Sequence, residues 1–446
     1  MNKRSGRPAA FGLRRLAALA LTAVCSIVGT AALAENDRRF VDGKYDEGYD
    51  GRGFSDRDGQ RKTDASVQLG PRPFYLVQGM DEGALKDRLM KCSAGPFYRS
   101  DFSIGHRGAA LQFPEHTKES YEAGARMGAG IVECDVTFTK DKELVCRHAE
   151  CDLHTTTNIV NTPLNAKCSV PYTGPGSSPR CCTSDLTLSE FRTLIGKMDA
   201  SNPAATNAQG FLGGTANWRT DLYTGRGTLV THKESIALNK TLGVKYTPEL
   251  KSGDPERIKA VFGSQANYAQ AMINEYKSAG INPKNVWPQS FNKDDVLYWV
   301  DKEPAFGKQA VYLDSIDPTV NPPIPRQTIE ELKQLKSRGV NIFAPPTLAL
   351  LSVNAGGEIA ASQYAKDIKA AGFDIITWTV ERSDLRNGSA SGGFYYLFDN
   401  PASRAVKKDS DIYKTIDALA RKVGVIGIFS DWPATVTYYA NCMGLK

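Results

Sequence analysis

The run Val132-Glu133-Cys134-Asp135-Val136 places two carboxylates two positions apart in an otherwise apolar stretch. On a strand, Glu133 and Asp135 share one face and Cys134 takes the other. Buried acids side by side are costly unless a cation or a basic group satisfies them. An all-oxygen donor set suits a hard ion, Mg²⁺ or Ca²⁺, better than zinc. Glu249, in Tyr246-Thr247-Pro248-Glu249-Leu250-Lys251, offers a third oxygen donor. Acids at a strand end can also stay in water or pair with arginines, and these residues alone leave that reading open.

A second cluster is Ile104-Gly105-His106-Arg107-Gly108, a strand running into a turn where glycine lets the backbone bend. Arginine presents a planar fork matched to phosphate oxygens, and imidazole moves a proton near neutral pH. His148, ending Glu143-Leu144-Val145-Cys146-Arg147-His148, lies close in sequence to the acid pair and is placed to meet His106. Glu115 and His116 precede the helical stretch at Thr117 and read first as turn and cap residues. Cys146, His148, Cys151 and His154 can be sketched as a zinc site, although disulfides compete for those cysteines.

Positioning these side chains requires strands, and short apolar runs supply them: Phe102–Gly105, Ile131–Val136, Leu144–His148, Val244–Leu250, Val286–Ser290, Ala310–Leu313, Ile342–Ala344, Ile375–Val380 and Val425–Ser430. Amphipathic stretches alternate with them at Thr117–Met127, Pro255–Ser278, Thr328–Ser337, Ala361–Ala371 and Asp411–Lys422. The alternation predicts a parallel α/β fold. His106-Arg107, Glu133/Asp135, Glu249/Lys251, Gln289 and Trp378 all fall near the C-terminal ends of different strands. A closed (β/α)₈ barrel gathers such ends at one mouth, whereas an open sheet gathers only those near its switch point. Residues of about 150–228, with Cys151, Cys168, Cys181 and Cys182, are too long for a simple loop and predict an ordered, disulfide-stapled cap. A second long loop, about 383–409, carries Phe394-Tyr395-Tyr396.

Taken together, the motifs match a known family. From about residue 102 to 436 the chain resembles the glycerophosphodiester phosphodiesterases, particularly their exported bacterial branch. The matching stretches are His106-Arg107-Gly108, Pro114-Glu115-His116-Thr117, Glu133-Cys134-Asp135 with Thr139-Lys140-Asp141, His148, Glu249-Leu250-Lys251, Gln289-Ser290-Phe291, Trp378-Thr379-Val380 and Ser430-Asp431-Trp432-Pro433. The resemblance implies a TIM barrel spanning 101–446 with an insertion after the second strand. It implies one divalent cation, Ca²⁺ or Mg²⁺, on Glu133, Asp135 and Glu249. His106 and His148 would be the acid/base pair, Arg107 and Lys251 the phosphate contacts, and Trp378 a wall of the substrate pocket. The implied reaction is hydrolysis of small glycerophosphodiesters to sn-glycerol 3-phosphate and an alcohol. The alternative is a phospholipase D-like or phosphoinositide-cleaving barrel acting on lyso- or intact lipids, which predicts an exposed apolar rim at Phe394, Tyr395 and Tyr396.

Composition sets the compartment and excludes some partners. Of 446 residues 41% are hydrophobic and 23% charged, values of a folded chain. The net charge of +6 comes from 55 basic against 49 acidic residues, and five of the basic ones (Lys3, Arg4, Arg7, Arg14, Arg15) sit in the first 34 residues, which hold no acid. The remaining chain is nearly neutral and makes no electrostatic case for nucleic acid. Residues 1–34 read as a signal peptide: an Arg-rich start, the apolar run Leu16–Leu33 and the small-residue end Ala32-Leu33-Ala34. Thr22, Ser26, Gly29 and Thr30 interrupt that run and favour cleavage over a membrane anchor, and no later segment is long and apolar enough to span a bilayer. The expected product is exported, periplasmic or secreted. Residues 35–100 form an extension expected to be partly flexible, its first part to residue 72 rich in Asp, Arg and Gly. Cysteine usage agrees, because removing Cys25 with the leader leaves eight of nine. Cys92 precedes the first strand and Cys442 follows the last helix, so closing a barrel brings them together and predicts their bridge.

Overall fold

A computed structural model of the chain describes residues 67–399 and 404–445. Its centre is a ring of parallel strands: β1 (Ser100–Gly105), β2 (Ala129–Phe138), β3 (Lys245–Leu250), β4 (Gln289–Ser290), β5 (Val311–Leu313), β6 (Ile342–Ala344), β7 (Asp374–Val380) and β8 (Gly427–Ser430). Each strand pairs with the next, and β8 pairs back to β1, which closes the barrel. Eight of the nine apolar runs are these strands. The ninth is shorter than expected: only Leu144–Cys146 is strand, and it pairs antiparallel with β2 outside the ring. His148 therefore lies in a bend beyond the hairpin rather than on a strand.

Side-chain parity on β2 sorts its residues. Ile131 points inward and joins Ile104, Val311, Leu313, Ile342, Ile376 and Phe429 in the barrel interior. Val132, Cys134 and Val136 point outward into the core beneath the helices. Glu133 and Asp135 continue the inward face toward the mouth. Burying each large aliphatic side chain contributes about 1.5–3 kcal/mol, so a one-residue slip that reversed these faces is strongly disfavoured.

Local signals set the helix ends. Thr117 caps Lys118–Arg126 by accepting from the Ser120 N–H. The stretch expected as one helix over 255–278 is two, Pro255–Phe262 and Gln265–Ser278. Gly263 at φ +84° ends the first in the left-handed conformation, and the Ser264 side chain caps the second. The stretch from Ala361 starts its helix only at Gln363, because Ile359–Ala361 pairs with Leu351–Val353 as a hairpin.

Ahead of β1, helices Arg72–Gln78 and Ala84–Lys91 supply Leu76, Val77 and Leu89 to the outer core, so this part of the expected extension is folded. The expected signal peptide and residues 35–66 lie outside the described residues. Cys92 and Cys442 are bridged, as barrel closure requires. In the insertion, Cys151–Cys182 and Cys168–Cys181 staple a small core that includes Leu153, Ile159, Phe191 and Phe211. A fourth bridge, Cys134–Cys146, ties the outer face of β2 to the neighbouring strand. These bridges rule out the zinc sketch, since Cys146 and Cys151 are both used.

Candidate active site

Register assembles the acids. Asp135 on β2 stands beside Glu249 on β3, and Glu249 beside Gln289 on β4. Carboxylate oxygens of Glu133, Asp135 and Glu249 lie within 4.8 Å of one another. Each acid has a dedicated partner. Glu133 accepts from the Arg107 backbone N–H at 3.0 Å and from Gln289 Nε2 at 2.9 Å. Glu249 accepts from Lys251 Nζ at 2.5 Å. Asp135 Oδ2 accepts from His116 Nε2 at 2.8 Å, and the Tyr121 hydroxyl holds the other ring nitrogen at 3.0 Å. Burial, with Asp135 and Glu249 nearby, pushes the Glu133 carboxyl well above its usual range. Burial likewise pushes Glu249 up to about 7 against the pull of Lys251. Burial would also raise Asp135, but His116, Lys251 and Arg107 outweigh it and hold it below the ordinary carboxylate range.

This donor set fits a hard divalent cation. Asp135 is 1% exposed, and its Oδ1 is buried with no hydrogen-bond partner. An orphaned carboxylate oxygen inside a cluster of acids is the feature that a bound cation would satisfy. Glu115, His148 and Asp152 also approach within 4.8 Å of one another. There, however, Arg107 Nη1 donates to both Glu115 oxygens at 3.0 Å, so that carboxylate is already neutralised.

The turn after β1 aims His106 and Arg107 at the same place. Gly108 has φ +95°, and a Cβ there would come within 2.4 Å of Ser120 Oγ, so the turn packs flush on helix Lys118–Arg126. Arg107, His116 and Glu381 hold left-handed φ values of 55°, 56° and 63°, conformations that non-glycine residues adopt at a cost and that cluster at functional sites. His106 Nδ1 lies 2.5 Å from Asp431 Oδ1, while Nε2 lies 3.8 Å from Glu133 Oε2. Burial draws the His106 pKa down to about 4, with Asp431 opposing and Arg107 adding to the fall. Burial, Arg107 and Lys251 hold His148 well below its ordinary value.

One cavity of about 480 Å³ is lined by His106, Arg107, Glu133, His148, Glu249, Lys251 and Trp378 together. Of the expected site residues only Asp135 is absent from its lining. Phe394 and Tyr395 are half-buried in the cavity wall beside Trp378, and Tyr396 is buried at 2% exposure. The exposed rim expected for a lipid-binding barrel is therefore absent at these three residues. The rings face inward because Phe394 and Tyr395 pack on Trp378 at centroid distances of 6.3 and 6.1 Å.

Residues 106–435 match the model of the glycerophosphoryl diester phosphodiesterase family. The chain belongs to that family. It is 44% identical over 252 residues to an extracellular protein of Arthroderma benhamiae, covering 56% of this chain and all of that one. It is 24% identical over 388 residues to a glycerophosphodiester phosphodiesterase of Arabidopsis thaliana, covering 82% of this chain and 91% of the plant protein. The crystal structure of a Silicibacter pomeroyi protein assigned to the same activity superposes with a TM-score of 0.51 at 18% identity, covering 79% and 96% of the two chains, a likeness of fold. The enzyme class is that of the family, a phosphodiester hydrolase acting on glycerophosphodiesters.

Several residues of this phosphodiesterase site escaped the sequence reading. Asp431 holds His106, and Arg382 Nη1 in turn donates to Asp431 at 3.0 Å. Glu115 and His116 do sit in a turn, but neither is the cap, which is Thr117, and both are fully buried, one on Arg107 and the other on Asp135. Their signal was present in Pro114-Glu115-His116-Thr117 and Ser430-Asp431-Trp432-Pro433. A titratable residue beside a cap or after a strand carries no mark of its burial, so only three-dimensional contacts reveal these roles.

Proposed function

We propose that this phosphodiesterase hydrolyses small glycerophosphodiesters in a metal-dependent reaction, with His106 and His148 as acid and base. The observation that carries the reading is the convergence of Glu133, Glu249, two imidazoles, Arg107 and Lys251 on one cavity, with an Asp135 oxygen within 4.8 Å of both glutamates. Glu133, Asp135 and Glu249 would hold one Mg²⁺ or Ca²⁺. When bound, that ion would neutralise charge growing on the phosphoryl oxygens.

The chain's own groups supply the rest. Arg107 spends Nη1 on Glu115 and its buried Nε lies 3.7 Å from Asp135 Oδ2, which leaves Nη2 for a phosphoryl oxygen, and Lys251 adds a second cation at the same anion. Asp431 keeps the proton of His106 on Nδ1, so Nε2 is the lone-pair nitrogen facing the cavity. His106 takes the proton of the attacking hydroxyl there, and Asp431 stabilises the imidazolium that forms. His148 protonates the departing alkoxide, its proton affinity raised by the anionic substrate. Each positioned acid or base contributes on the order of 10²–10⁴-fold.

Export of the chain, with residues 1–34 as its signal, is supported by four disulfides and by the extracellular relative. Among the described residues no helix is long and apolar enough to cross a membrane. The test is release of sn-glycerol 3-phosphate from a panel of glycerophosphodiesters by purified protein, before and after exhaustive chelation and with Mg²⁺ or Ca²⁺ restored. Turnover that survives chelation would overturn the metal-dependent reading.

A further inference from the structure

Strand order divides the mouth of the barrel into two arcs. The arc from β1 to β3 carries His106, Glu133, Glu249 and the basic groups around them. The opposite arc, from the end of β4 to the loop after β7, presents Phe291, Trp378, Phe394 and Tyr395 to the same cavity. Trp378 and Phe394 are nearly parallel, at 20°, while Tyr395 stands at 82° and 84° to them. Trp378 is anchored by its Nε1–H on the Ala344 carbonyl at 2.9 Å. Lys251 already occupies one ring, at 5.8 Å from the Phe291 centroid, which leaves the other three.

The charge on this arc is equally specific. Arg382 is engaged by Asp431 at 3.0 Å and Glu115 at 3.7 Å. That leaves Asp317, after β5, as an acid lining the same cavity outside the three proposed metal ligands. Its Oδ1 is fixed by the Thr319 N–H at 2.8 Å and the Thr319 hydroxyl at 2.6 Å. Ring faces set at right angles, on a cavity that also carries a carboxylate, attract a cation that makes no hydrogen bonds of its own. A polyol would set hydroxyls against the ring faces, with only Asp317 and Ser315 as polar partners on this part of the cavity.

We propose that this aromatic arc is the subsite for the leaving alcohol and that it selects a quaternary ammonium alcohol such as choline. The proposal rests on phosphodiester hydrolysis as the reaction. The ammonium group can arrive on a water-soluble diester or on a lysolipid, and the arms of the test separate the two.

The test compares kcat/KM for sn-glycero-3-phosphocholine with that for its neutral 3,3-dimethylbutyl isostere. The expected preference for the cation is about tenfold. Tyr395→Leu and Asp317→Asn should each pull that ratio toward one, while Tyr395→Phe, which keeps the ring, should preserve it. Equal kcat/KM for the two esters overturns the subsite and leaves the hydrolysis standing. Choline release from lysophosphatidylcholine alone keeps the subsite and moves the enzyme to lipid substrates. If no diester is turned over with metal present, the functional reading fails by itself. Tetramethylammonium binding by calorimetry, lost in the Asp317→Asn/Tyr395→Leu double variant, then still supports the subsite, and absence of binding overturns it.

Discussion

His106 and Asp431 join the first and last strands of the barrel, with Nδ1 and a carboxylate oxygen 2.5 Å apart. The contact fixes which ring nitrogen carries the proton. It also depends on closure, because the His106 backbone N–H donates to the Ser430 carbonyl at 3.0 Å. Asp431→Asn would keep the shape but can favour the wrong tautomer, turning Nε2 from acceptor to donor. The expected outcome is a fall in kcat of about 10²-fold, within the range for one acid–base group, with a smaller change in KM and unchanged circular dichroism. Wild-type kcat in that variant would remove Asp431 from the mechanism.

His116 acts on Asp135 through the 2.8 Å contact and does not line the cavity. It is a positioning residue for a proposed ligand. His116→Phe should weaken the apparent affinity for the divalent cation about 10- to 100-fold, as loss of such partners does elsewhere. It also strands a buried carboxylate oxygen, at a cost of about 1–3 kcal/mol. Metal titration of activity separates the two effects, since a purely structural role lowers Tm without shifting the metal dependence.

Much of this arrangement was legible in the sequence. Glu133 and Asp135 announced a shared face because strand periodicity is short and strict, and the Cys92–Cys442 bridge followed from topology alone. The split at Gly263 was less visible, since the apolar pattern continues across it. Glu115, His116, Asp431 and Arg382 were hidden for a different reason. Their roles come from contacts spanning up to 325 positions, as between His106 and Asp431, and no local pattern encodes these. The inward turn of Phe394 and Tyr395 was hidden too, because an aromatic loop reads alike whether it covers a pocket or faces a membrane.

The Cys134–Cys146 bridge lies on the outer side of β2, opposite the acids it helps to position. It closes a short loop, with a sequence separation of 12. Chain-entropy reasoning gives about 3 kcal/mol for a loop of that size. Two residues past Cys146 is His148, so the bridge also fixes where the second imidazole leaves the sheet. The double variant Cys134→Ala/Cys146→Ala should lower Tm and reduce kcat more than it changes metal affinity. Equal losses in both would show that the acids, and not His148, depend on the bridge.

Glu133→Gln tests the cation site with a readout independent of turnover. Three acids within 4.8 Å of one another repel, and burial makes the repulsion costly. Removing one charge should therefore leave the metal-free protein as stable as wild type or more so. Wild type, in contrast, gains stability when an ion binds the folded state alone, about 2.7 kcal/mol at a hundredfold excess over Kd. The expected pattern is a Tm that rises with Mg²⁺ or Ca²⁺ in wild type and stays flat in Glu133→Gln, together with loss of activity in the variant. Gln289 donates to Glu133 Oε1 at 2.9 Å and can donate equally to a glutamine carbonyl, while the Arg107 N–H, which donates to Oε2 at 3.0 Å, loses its acceptor, so the local cost is one hydrogen bond at that turn. A metal-dependent rise in Tm that persists in Glu133→Gln would place the ion elsewhere and return the three acids to a structural role.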